Sequence, residues 1–546
     1  MELTPSAHVD TFCRDNLPPA DQWPDLEFTL PSLAYPDRLN CADVLLRETI
    51  ERVGEDRPCL LHQDPERTPW TYGDLWRTAS QIAGALTSEY GLVPGNRVLL
   101  RGPNTAWLAA CWFGVIMAGG VAVGTNPLLR AAELRTICEI AHVDLALCDE
   151  RFVADLEAAD AGVRTIAFDP VAPAGGVTGA AGFAGDAHRQ PATFDPVKTA
   201  ADDVAFIAFT SGTTGRPKAA MHFHRDVLAT ADTYSALVLK PAPDDIFTGT
   251  PPLAFTFGLG ALLIFPIRAG ASTLMVERAT PVELADLIAL RGVSIVSTAP
   301  TAYRAMLAAG KADQLRGLRR PVSAGETLPG SVWQAFYDAT GVKILDGIGS
   351  TEMLHIFVSA ADDSMRAGST GVPVPGYRAE IHDEHGRVVP DGQPGRLAVK
   401  GPTGCKYLAD ERQRSYVSNG WNYTGDTYIK DADGYFWYQA RSDDMIVSAG
   451  YNIAGPEVED VLLSHPVVAE CGVVGVPDET RGQIVKAFVV LEGAGATGGP
   501  ELVTELQELV KAKIAPYKYP RSIEFLPSLP RTNTGKLQRF KLRDLA

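Results

Sequence analysis

The sequence has no pair of cysteines at the C-x-x-C spacing that zinc and redox sites use. Its eight cysteines are scattered along 546 residues, and we interpret them as buried thiols. His222-Phe223-His224 offers two imidazoles without a carboxylate or cysteine at ligand spacing. We therefore expect neither a disulfide framework nor a metal centre built on cysteine or histidine.

The chain also lacks an excess of positive charge. Lysine and arginine number 49 against 66 acidic residues, which gives a net charge of -17. Such a balance opposes sequence-independent attraction to nucleic-acid phosphates and anionic lipid. We expect small-molecule substrates and neither a nucleic-acid nor a membrane partner.

Long hydrophobic segments are scarce as well. The first residues contain acids and no apolar core of signal-peptide length, so a cytoplasmic protein that begins near Met1 is expected. The uncharged run from Ala106 to Gly124 approaches the roughly 20 residues of a membrane span. Gly119-Gly120 divides it, which predicts a buried helix over Ala106–Ala118 and a short strand over Val121–Gly124.

What is present is the composition of a globular protein, with 46% hydrophobic and 21% charged residues. Helical and strand-like stretches alternate through the first 440 residues, which indicates an α/β architecture. An Ala-, Gly- and Pro-rich stretch from Asp169 to Ala201 predicts an exposed loop. Strands over Val467–Val476 and Val485–Leu491 with a helix over Pro500–Lys513 predict a separate α+β unit of about 100 residues.

A glycine- and hydroxyl-rich segment follows the apolar strand Val204–Phe209. Glycines let main-chain amides approach phosphate oxygens, hydroxyls add donors and a lysine adds positive charge. The spacing is not that of a Walker A motif, and no third glycine completes a dinucleotide-binding fingerprint. The sequence therefore predicts a phosphate loop of another kind, made of Thr210, Ser211, Gly212, Thr213, Thr214, Gly215, Arg216, Pro217 and Lys218.

Five further segments follow in the same order as in one large family. With the loop, they resemble the adenylate-forming superfamily of acyl-CoA synthetases, carrier-protein-loading adenylation domains and luciferases. The resemblance covers the whole chain, and six segments in order argue against coincidence. The five segments are Ser323–Glu326, Asp346–Glu352, Tyr423–Asp426, Arg441–Asp444 and Pro530–Lys536.

The resemblance implies a reaction in two steps. A carboxylate attacks the α-phosphate of ATP, pyrophosphate leaves, and the thiol of coenzyme A then displaces AMP. It also implies a large N-terminal domain of several subdomains, 1–441, and a small mobile C-terminal domain, 442–546, with the hinge at Asp443. Rotation of the small domain would serve the two steps in turn.

The resemblance assigns three catalytic residues. Glu352 would hold Mg²⁺, Thr351 would donate a hydrogen bond to the α-phosphate, and Lys536 would neutralise the α-phosphate and the substrate carboxylate. Asp426 would accept from both ribose hydroxyls, and Arg441 would contact ribose or phosphate. The remaining ATP-binding residues outside the phosphate loop would be Gly325, Glu326, Asp346, Gly347, Ile348, Gly349 and Ser350.

The thiol tunnel would be bordered by one short segment of the C-terminal domain. Its residues are Ser448, Ala449, Gly450 and Tyr451. Basic residues at the mouth would meet coenzyme A, and the candidates are Arg481, Lys486 and Lys518.

The acyl pocket would lie between Pro252–Gly258 and Thr351–Phe357, both rich in aromatic residues. Phe255 stands where many acyl-CoA synthetases have histidine, and the segments around it resemble those of benzoate-CoA and, most of all, 2-aminobenzoate-CoA ligases. A flat apolar pocket would bury an aromatic ring, whereas a fatty acid would need a tunnel. The expected substrate-binding residues are Ala254, Phe255, Gly325, Ile348, Gly349, Leu354 and His355.

The sequence leaves three alternatives open. Benzoate or salicylate could be the preferred acid, since a single polar contact separates them from 2-aminobenzoate. A stand-alone adenylation enzyme could instead deliver the adenylate to a carrier protein. With either acceptor, the expected protein is a monomer or a homodimer. A non-catalytic nucleotide sensor is disfavoured, because Lys536, Glu352 and Asp426 are all retained.

Overall fold

The computed structural model describes residues 3–174, 182–210, 216–441, 444–448, 451–478, 481–493, 498–532 and 536–545. Its N-terminal part contains two large sheets and a smaller antiparallel sheet, and its C-terminal part forms a smaller unit. The predicted fold class, an α/β protein with a large N-terminal domain and a small C-terminal domain, is confirmed.

The first large sheet has six strands, five of them parallel. The last strand runs antiparallel to its neighbour and follows the phosphate loop. In spatial order the strands are Arg164–Phe168, Leu145–Asp149, Arg97–Arg101, Val121–Thr125, Val204–Thr210 and Lys218–Phe223.

Side-chain caps mark the start of three helices in this part of the chain, at Asn40, Thr71 and Thr105. The side chain of Thr71 accepts a hydrogen bond from the Asp74 amide, and the Asp74 carboxylate accepts one from the Thr71 amide. Such reciprocal capping satisfies two amides that have no partner within the helix. The helices are Cys41–Val53, Tyr72–Ser88, Ala106–Met117, Ala131–Ala141 and Val153–Ala158.

The second large sheet has nine strands with a parallel centre. In spatial order they are Val372–Pro373, Ile356–Ser359, Leu345–Gly349, Arg320–Ser323, Ile295–Thr298, Ile246–Gly249, Ser272–Met275, Pro58–His62 and Trp70–Thr71. The longer helices in this region are His224–Thr230, Pro281–Arg291, Pro300–Ala308 and Gly330–Thr340, with π-helical turns over Ala231–Leu239 and Gly260–Ile264.

A small antiparallel sheet completes the N-terminal part. Its strands are Arg378–His382, Pro394–Lys400, Val417–Ser418, Trp421–Lys430 and Phe436–Arg441. The last two strands pair in register so that Asp426 stands opposite Arg441. The compact turn between them closes through a hydrogen bond from the Gly434 amide to the Asp431 carbonyl.

The C-terminal part forms its own core around a three-stranded sheet, which explains why it can be a separate unit. Its strands are Val468–Asp478, Gly482–Leu491 and Ser522–Phe525, with a hairpin of Ile446–Ser448 and Tyr451–Ile453. Its helices are Gly455–Leu463, Pro500–Lys513 and Arg539–Asp544.

The remaining helical turns are short. They are Phe12–Asp15, Ala20–Gln22, Pro31–Leu33, Glu150–Phe152, Phe183–His188, Thr256–Leu259, Phe265–Ala269, Ala312–Leu315, Asp362–Ser364, Gln413–Tyr416 and Pro516–Lys518.

Several sequence predictions can be compared with this fold. The apolar run divides into the helix Ala106–Met117 and the strand Val121–Thr125, as expected. The prediction of a continuous loop over 169–201 is wrong, because Phe183–His188 is helical and buries Phe183 against Tyr90. All eight cysteines are free and buried. Within the described ranges, no helix has the length and apolar character that crossing a membrane requires.

Candidate active site

The predicted site residues gather where the parallel strands of the nine-stranded sheet end. The strands Ile295–Thr298, Arg320–Ser323 and Leu345–Gly349 are neighbours with the same direction, so their carboxyl ends share one edge. Asp346 stands beside Ser323 in this register. The carboxyl edge of a parallel sheet is the usual place for a ligand, which makes this edge the candidate active site.

Lys536 reaches this edge from the C-terminal domain. A Cβ atom built on Gly325 would lie 3.9 Å from the Lys536 Cε atom. The lysine remains accessible to solvent, yet protein surrounds it, which is the situation of a side chain in an open cleft. Burial and the nearby Arg441 lower the pKa of Lys536, while the carboxylates of Asp426 and Glu352 oppose that shift. The structure thus unites four predicted residues from both domains.

Asp426 and Arg441 form the part of the cleft predicted to hold ribose. Arg441 Nη1 lies 3.3 Å from Asp426 Oδ1, across paired strands. Burial raises the pKa of Asp426, and Arg441 acts in the opposite direction. Gly425 has φ +80°, and a Cβ there would lie 3.1 Å from Arg441 Nη2. The glycine therefore permits the turn and the close approach of the arginine.

The residues predicted to line the adenine pocket lie together as well. Burial raises the pKa of Asp346 to about 8, although a hydrogen bond from the main chain of Gly347 acts against it. Ile348 is partly buried against the main core. Burial also raises the pKa of Glu326, while its 3.0 Å ion pair with Arg531 opposes the shift.

The base of the phosphate loop is held by two paired strands. Thr210 and Lys218 stand opposite each other in the antiparallel register. The predicted loop residues Ser211, Gly212, Thr213, Thr214 and Gly215 lie outside the described residues. Arg412 donates to the carbonyl of Arg216 at 2.9 Å and to that of Pro217 at 3.3 Å, which anchors the end of the loop.

The chemistry of Glu352 fits a magnesium ion. Its side chain is 7% exposed and accepts a hydrogen bond from the Tyr407 hydroxyl at Oε1. Among the described residues no group of three or more potential metal ligands occurs. Mg²⁺ commonly takes one or two carboxylates and completes its shell with water and substrate phosphate oxygens, so a single buried carboxylate beside a phosphate loop suits it.

An aromatic cluster surrounds His355 in the region predicted to bind the acyl group. The ring centroid of His355 lies 4.5 Å from Phe265, 5.4 Å from Tyr234 and 5.7 Å from Phe257. Gly260 makes room for this ring, because a Cβ there would lie 2.3 Å from His355 Cδ2. The two predicted pocket segments therefore meet through aromatic contact.

The other predicted pocket residues take different positions. Ala254 and Leu354 are buried, whereas Phe255 is partly exposed at the start of a short helix. Leu354 has φ +69°, a strained conformation for a branched residue and one that clusters at functional sites. A Cβ on Gly349 would lie 2.7 Å from the His355 carbonyl oxygen. This turn consequently depends on a glycine.

One polar atom in this aromatic cluster has no partner. Within the described part of the chain, the Tyr234 hydroxyl is buried without a hydrogen bond. Burial lowers the pKa of His355 to about 3, although a main-chain hydrogen bond with Phe257 opposes the shift, so its ring is neutral near pH 7. Buried polar groups normally have partners, which makes the Tyr234 hydroxyl a candidate for a hydrogen bond to a bound ligand.

The predicted thiol-tunnel residues lie in the C-terminal domain. Ser448 is buried 3.3 Å from Arg481 Nε. Tyr451 is 52% exposed and stacks on Tyr517 with ring centroids 4.4 Å apart. Ala449, Gly450 and the predicted hinge Asp443 lie outside the described residues.

Two of the three basic residues expected at the tunnel mouth have acidic partners. Lys486 pairs with Glu524 at 2.9 Å. Lys518 pairs with Glu457. Each lysine is therefore neutralised in this conformation, and its contact with a phosphate would compete with the ion pair.

Residues that the sequence did not single out hold the two domains together. Asp460 accepts from the Ser331 amide at 3.1 Å and from its hydroxyl. Arg304 donates to the carbonyl of Val468. These contacts keep the C-terminal domain in the orientation that brings Lys536 into the cleft. No local pattern marks them, because each joins residues far apart in the chain.

Two comparisons define the class of protein. A family model described as AMP-binding enzyme matches residues 46–407, and one described as AMP-binding enzyme C-terminal domain matches residues 457–536. The chain therefore belongs to the AMP-binding enzyme family. The resemblance to the adenylate-forming superfamily and the prediction of an AMP-forming acid–CoA ligase are thereby confirmed.

Particular relatives are similar over nearly the whole chain. The benzoate–CoA ligase of Thauera aromatica is 35% identical over 523 residues, which cover 94% of this chain and 98% of the relative. The crystal structure of the anthranilate CoA ligase AuaEII in complex with anthranoyl-AMP has a TM-score of 0.87 at 34% identity, and covers 94% of this chain and 99% of that one. A benzoate CoA ligase from Burkholderia xenovorans LB400 has a TM-score of 0.83 at 34% identity, with coverage of 92% and 100%.

Proposed function

We propose that this chain is a Mg²⁺-dependent ligase that uses ATP and coenzyme A to convert 2-aminobenzoate into its CoA thioester. The relatives named for benzoate and anthranilate support an aromatic acid as substrate. The unpaired hydroxyl of Tyr234, which lies beside His355 in an otherwise aromatic cluster, supports the choice of a ring with a polar substituent. An amino group on the ring would supply hydrogen bonds that benzoate lacks.

In the first step the carboxylate oxygen of the acid attacks the α-phosphorus of ATP, and pyrophosphate leaves. Negative charge grows on the α-phosphate oxygens, and Lys536 and Thr351 would stabilise it. Glu352 would hold the metal ion, whose charge neutralises phosphate oxygens during the transfer. Asp426 would fix the ribose so that the reacting atoms stay aligned.

In the second step the thiolate sulfur of coenzyme A attacks the acyl carbon, and AMP leaves. Lys536 would have to withdraw for this step, because the same cleft must admit the thiol. Rotation of the C-terminal domain about Asp443 would exchange Lys536 for the segment Ser448–Tyr451. The contacts between Asp460 and Ser331 belong to the first orientation and would break in the second.

Pyrophosphate release with ATP and Mg²⁺ tests the choice of acid. The panel is 2-aminobenzoate, salicylate, benzoate and octanoate, each with and without coenzyme A. We expect the highest kcat/KM for 2-aminobenzoate, with turnover that rises when coenzyme A is added. A higher kcat/KM for salicylate, benzoate or octanoate would contradict the choice of 2-aminobenzoate. Turnover that does not change when coenzyme A is added would indicate a carrier protein as acceptor.

Tyr234→Phe tests the observation behind this choice, because it removes only the unpaired hydroxyl. One hydrogen bond contributes about 1 kcal/mol, so the preference for 2-aminobenzoate over benzoate should fall about fivefold. Tyr72→Phe is the matched control, since Tyr72 is fully buried and its hydroxyl donates to the Ala271 carbonyl at 2.7 Å. An unchanged preference in Tyr234→Phe would remove this residue from substrate recognition.

A further inference from the structure

The turn Ser350–Glu352 rests on two buried tyrosines that no sequence motif marked. The hydroxyl of Tyr407 donates to Glu352 Oε1. The hydroxyl of Tyr416 lies 3.0 Å from the Ser350 hydroxyl, which in turn accepts from the Met353 amide. The two ends of the turn are therefore each tied to one tyrosine.

The tyrosines support each other. Their rings meet edge to face at 5.9 Å, an arrangement that aromatic pairs favour. Tyr407 is fully buried and Tyr416 nearly so. Both belong to a small core cluster with Ala220, Cys405 and Val417. Close packing of the protein interior holds buried rings of this kind in place, which makes them rigid supports.

Tyr407 also connects the turn with the base of the phosphate loop. Lys218 Nζ lies 4.9 Å above the Tyr407 ring. The main chain around the tyrosine pairs with the strand that follows the loop, through the Ala220–Tyr407 bridge and the bond from the Leu408 amide to the Ala219 carbonyl. One buried side chain thus touches both Glu352 and Lys218.

We propose that Tyr407 and Tyr416 are positioning residues that fix the Ser350–Glu352 turn so that the Glu352 carboxylate presents one oxygen to the metal of the ATP complex. The inference rests on the proposed metal role of Glu352. Among the described residues, Tyr407 is the hydrogen-bond donor to this carboxylate, and it engages Oε1. The other oxygen, Oε2, would then be the one available to the metal ion.

This role differs from simple packing in what it predicts. Hydrogen bonds that orient a metal ligand commonly change metal affinity or activity about 10- to 100-fold when removed. A packing role would lower stability and leave the metal requirement unchanged. The concentration of Mg²⁺ at half-maximal rate separates the two.

The test uses the full-length protein and Tyr407→Phe, which keeps the ring against Lys218 and removes the hydroxyl. We expect the Mg²⁺ concentration for half-maximal pyrophosphate release to rise at least tenfold, with the rate at saturating Mg²⁺ within about threefold of the original. Binding of Mn²⁺ in the presence of ATP, measured by electron paramagnetic resonance, should weaken by the same factor. Tyr72→Phe is the control and should change neither quantity.

Glu352→Gln separates failure of this inference from failure of the proposed function. If Glu352→Gln leaves the metal requirement unchanged, the metal role of Glu352 is wrong. If it raises that requirement while Tyr407→Phe behaves like Tyr72→Phe, only the inference is overturned. In the Glu352→Gln background, Tyr407→Phe should have no further effect on Mn²⁺ binding.

Tyr416→Phe tests the Ser350 end of the same turn. It replaces Tyr407→Phe in the test if that variant does not fold. Removal of the bond to Ser350 should raise the Mg²⁺ requirement in the same direction. An unchanged Mg²⁺ requirement, together with an unchanged melting temperature, would overturn the proposal that Tyr416 helps to position the turn.

Discussion

Replacement of Lys536 by alanine should separate the two half-reactions. The side chain lies beside Gly325 in an open cleft, where it remains accessible to solvent. At a separation of about 4 Å and an effective dielectric constant of about 20, two unit charges attract by about 4 kcal/mol. Lys536→Ala should therefore slow adenylate formation about 10³-fold.

The second half-reaction should be spared, because in the proposed mechanism Lys536 leaves the cleft before the thiol enters. Thioester formation from supplied 2-aminobenzoyl-AMP and coenzyme A should stay within about threefold of the original rate. Lys541→Ala is the matched control, since Lys541 is an exposed lysine on the last helix. Equal loss of both half-reactions in Lys536→Ala would refute the two-orientation mechanism.

Three further substitutions test other parts of the cleft. Gly349→Ala places a Cβ 2.7 Å from the His355 carbonyl oxygen and should reduce the rate of adenylation at least tenfold. Gly317→Ala is the control, because no atom lies within 4 Å of a Cβ at that position. Equal adenylation rates in the two variants would contradict the packing argument. Asp460→Ala removes an interdomain contact and should slow adenylation three- to tenfold without slowing thioester formation. Equal slowing of both half-reactions would contradict the role of this contact in the first orientation. Burial raises the pKa of Asp346 from 3.8 to about 8, so the folded state holds this proton more tightly and stability falls as pH rises between those values. Asp346→Asn should make stability fall less steeply with pH. If the difference in melting temperature between this variant and the original protein is constant from pH 5 to 8.5, the prediction is contradicted.

Periodicity and resemblance predicted much of the fold and of the cleft. The helix Ala106–Met117 follows from an uncharged apolar run that ends before a glycine pair, and the helix Pro500–Lys513 follows from a helical pattern with proline at its start; both are local properties. The short helix Phe183–His188 was missed because its stability comes from burial of Phe183 against Tyr90, a contact with a distant part of the chain. Local pattern cannot report such a contact.

The same limit applies to the site. Lys536, Asp426 and Glu352 lie in segments that resemble a family, and the structure brings them together. Tyr407 and Tyr234 lie in no such segment. Tyr407 is important because its hydroxyl donates to the Glu352 carboxylate, 55 residues away in the chain. Tyr234 is important because its ring lies against the buried imidazole of His355. Sequence spacing carries no signal for contacts of that kind.

The central claim is that one site forms an aryl adenylate and passes it to coenzyme A. Mass spectrometry of a single turnover with ATP, Mg²⁺ and 2-aminobenzoate tests it most directly. We predict that 2-aminobenzoyl-AMP accumulates without coenzyme A and is converted to 2-aminobenzoyl-CoA when coenzyme A is added. An adenylate that persists in the presence of coenzyme A, or the absence of any adenylate, would contradict the account.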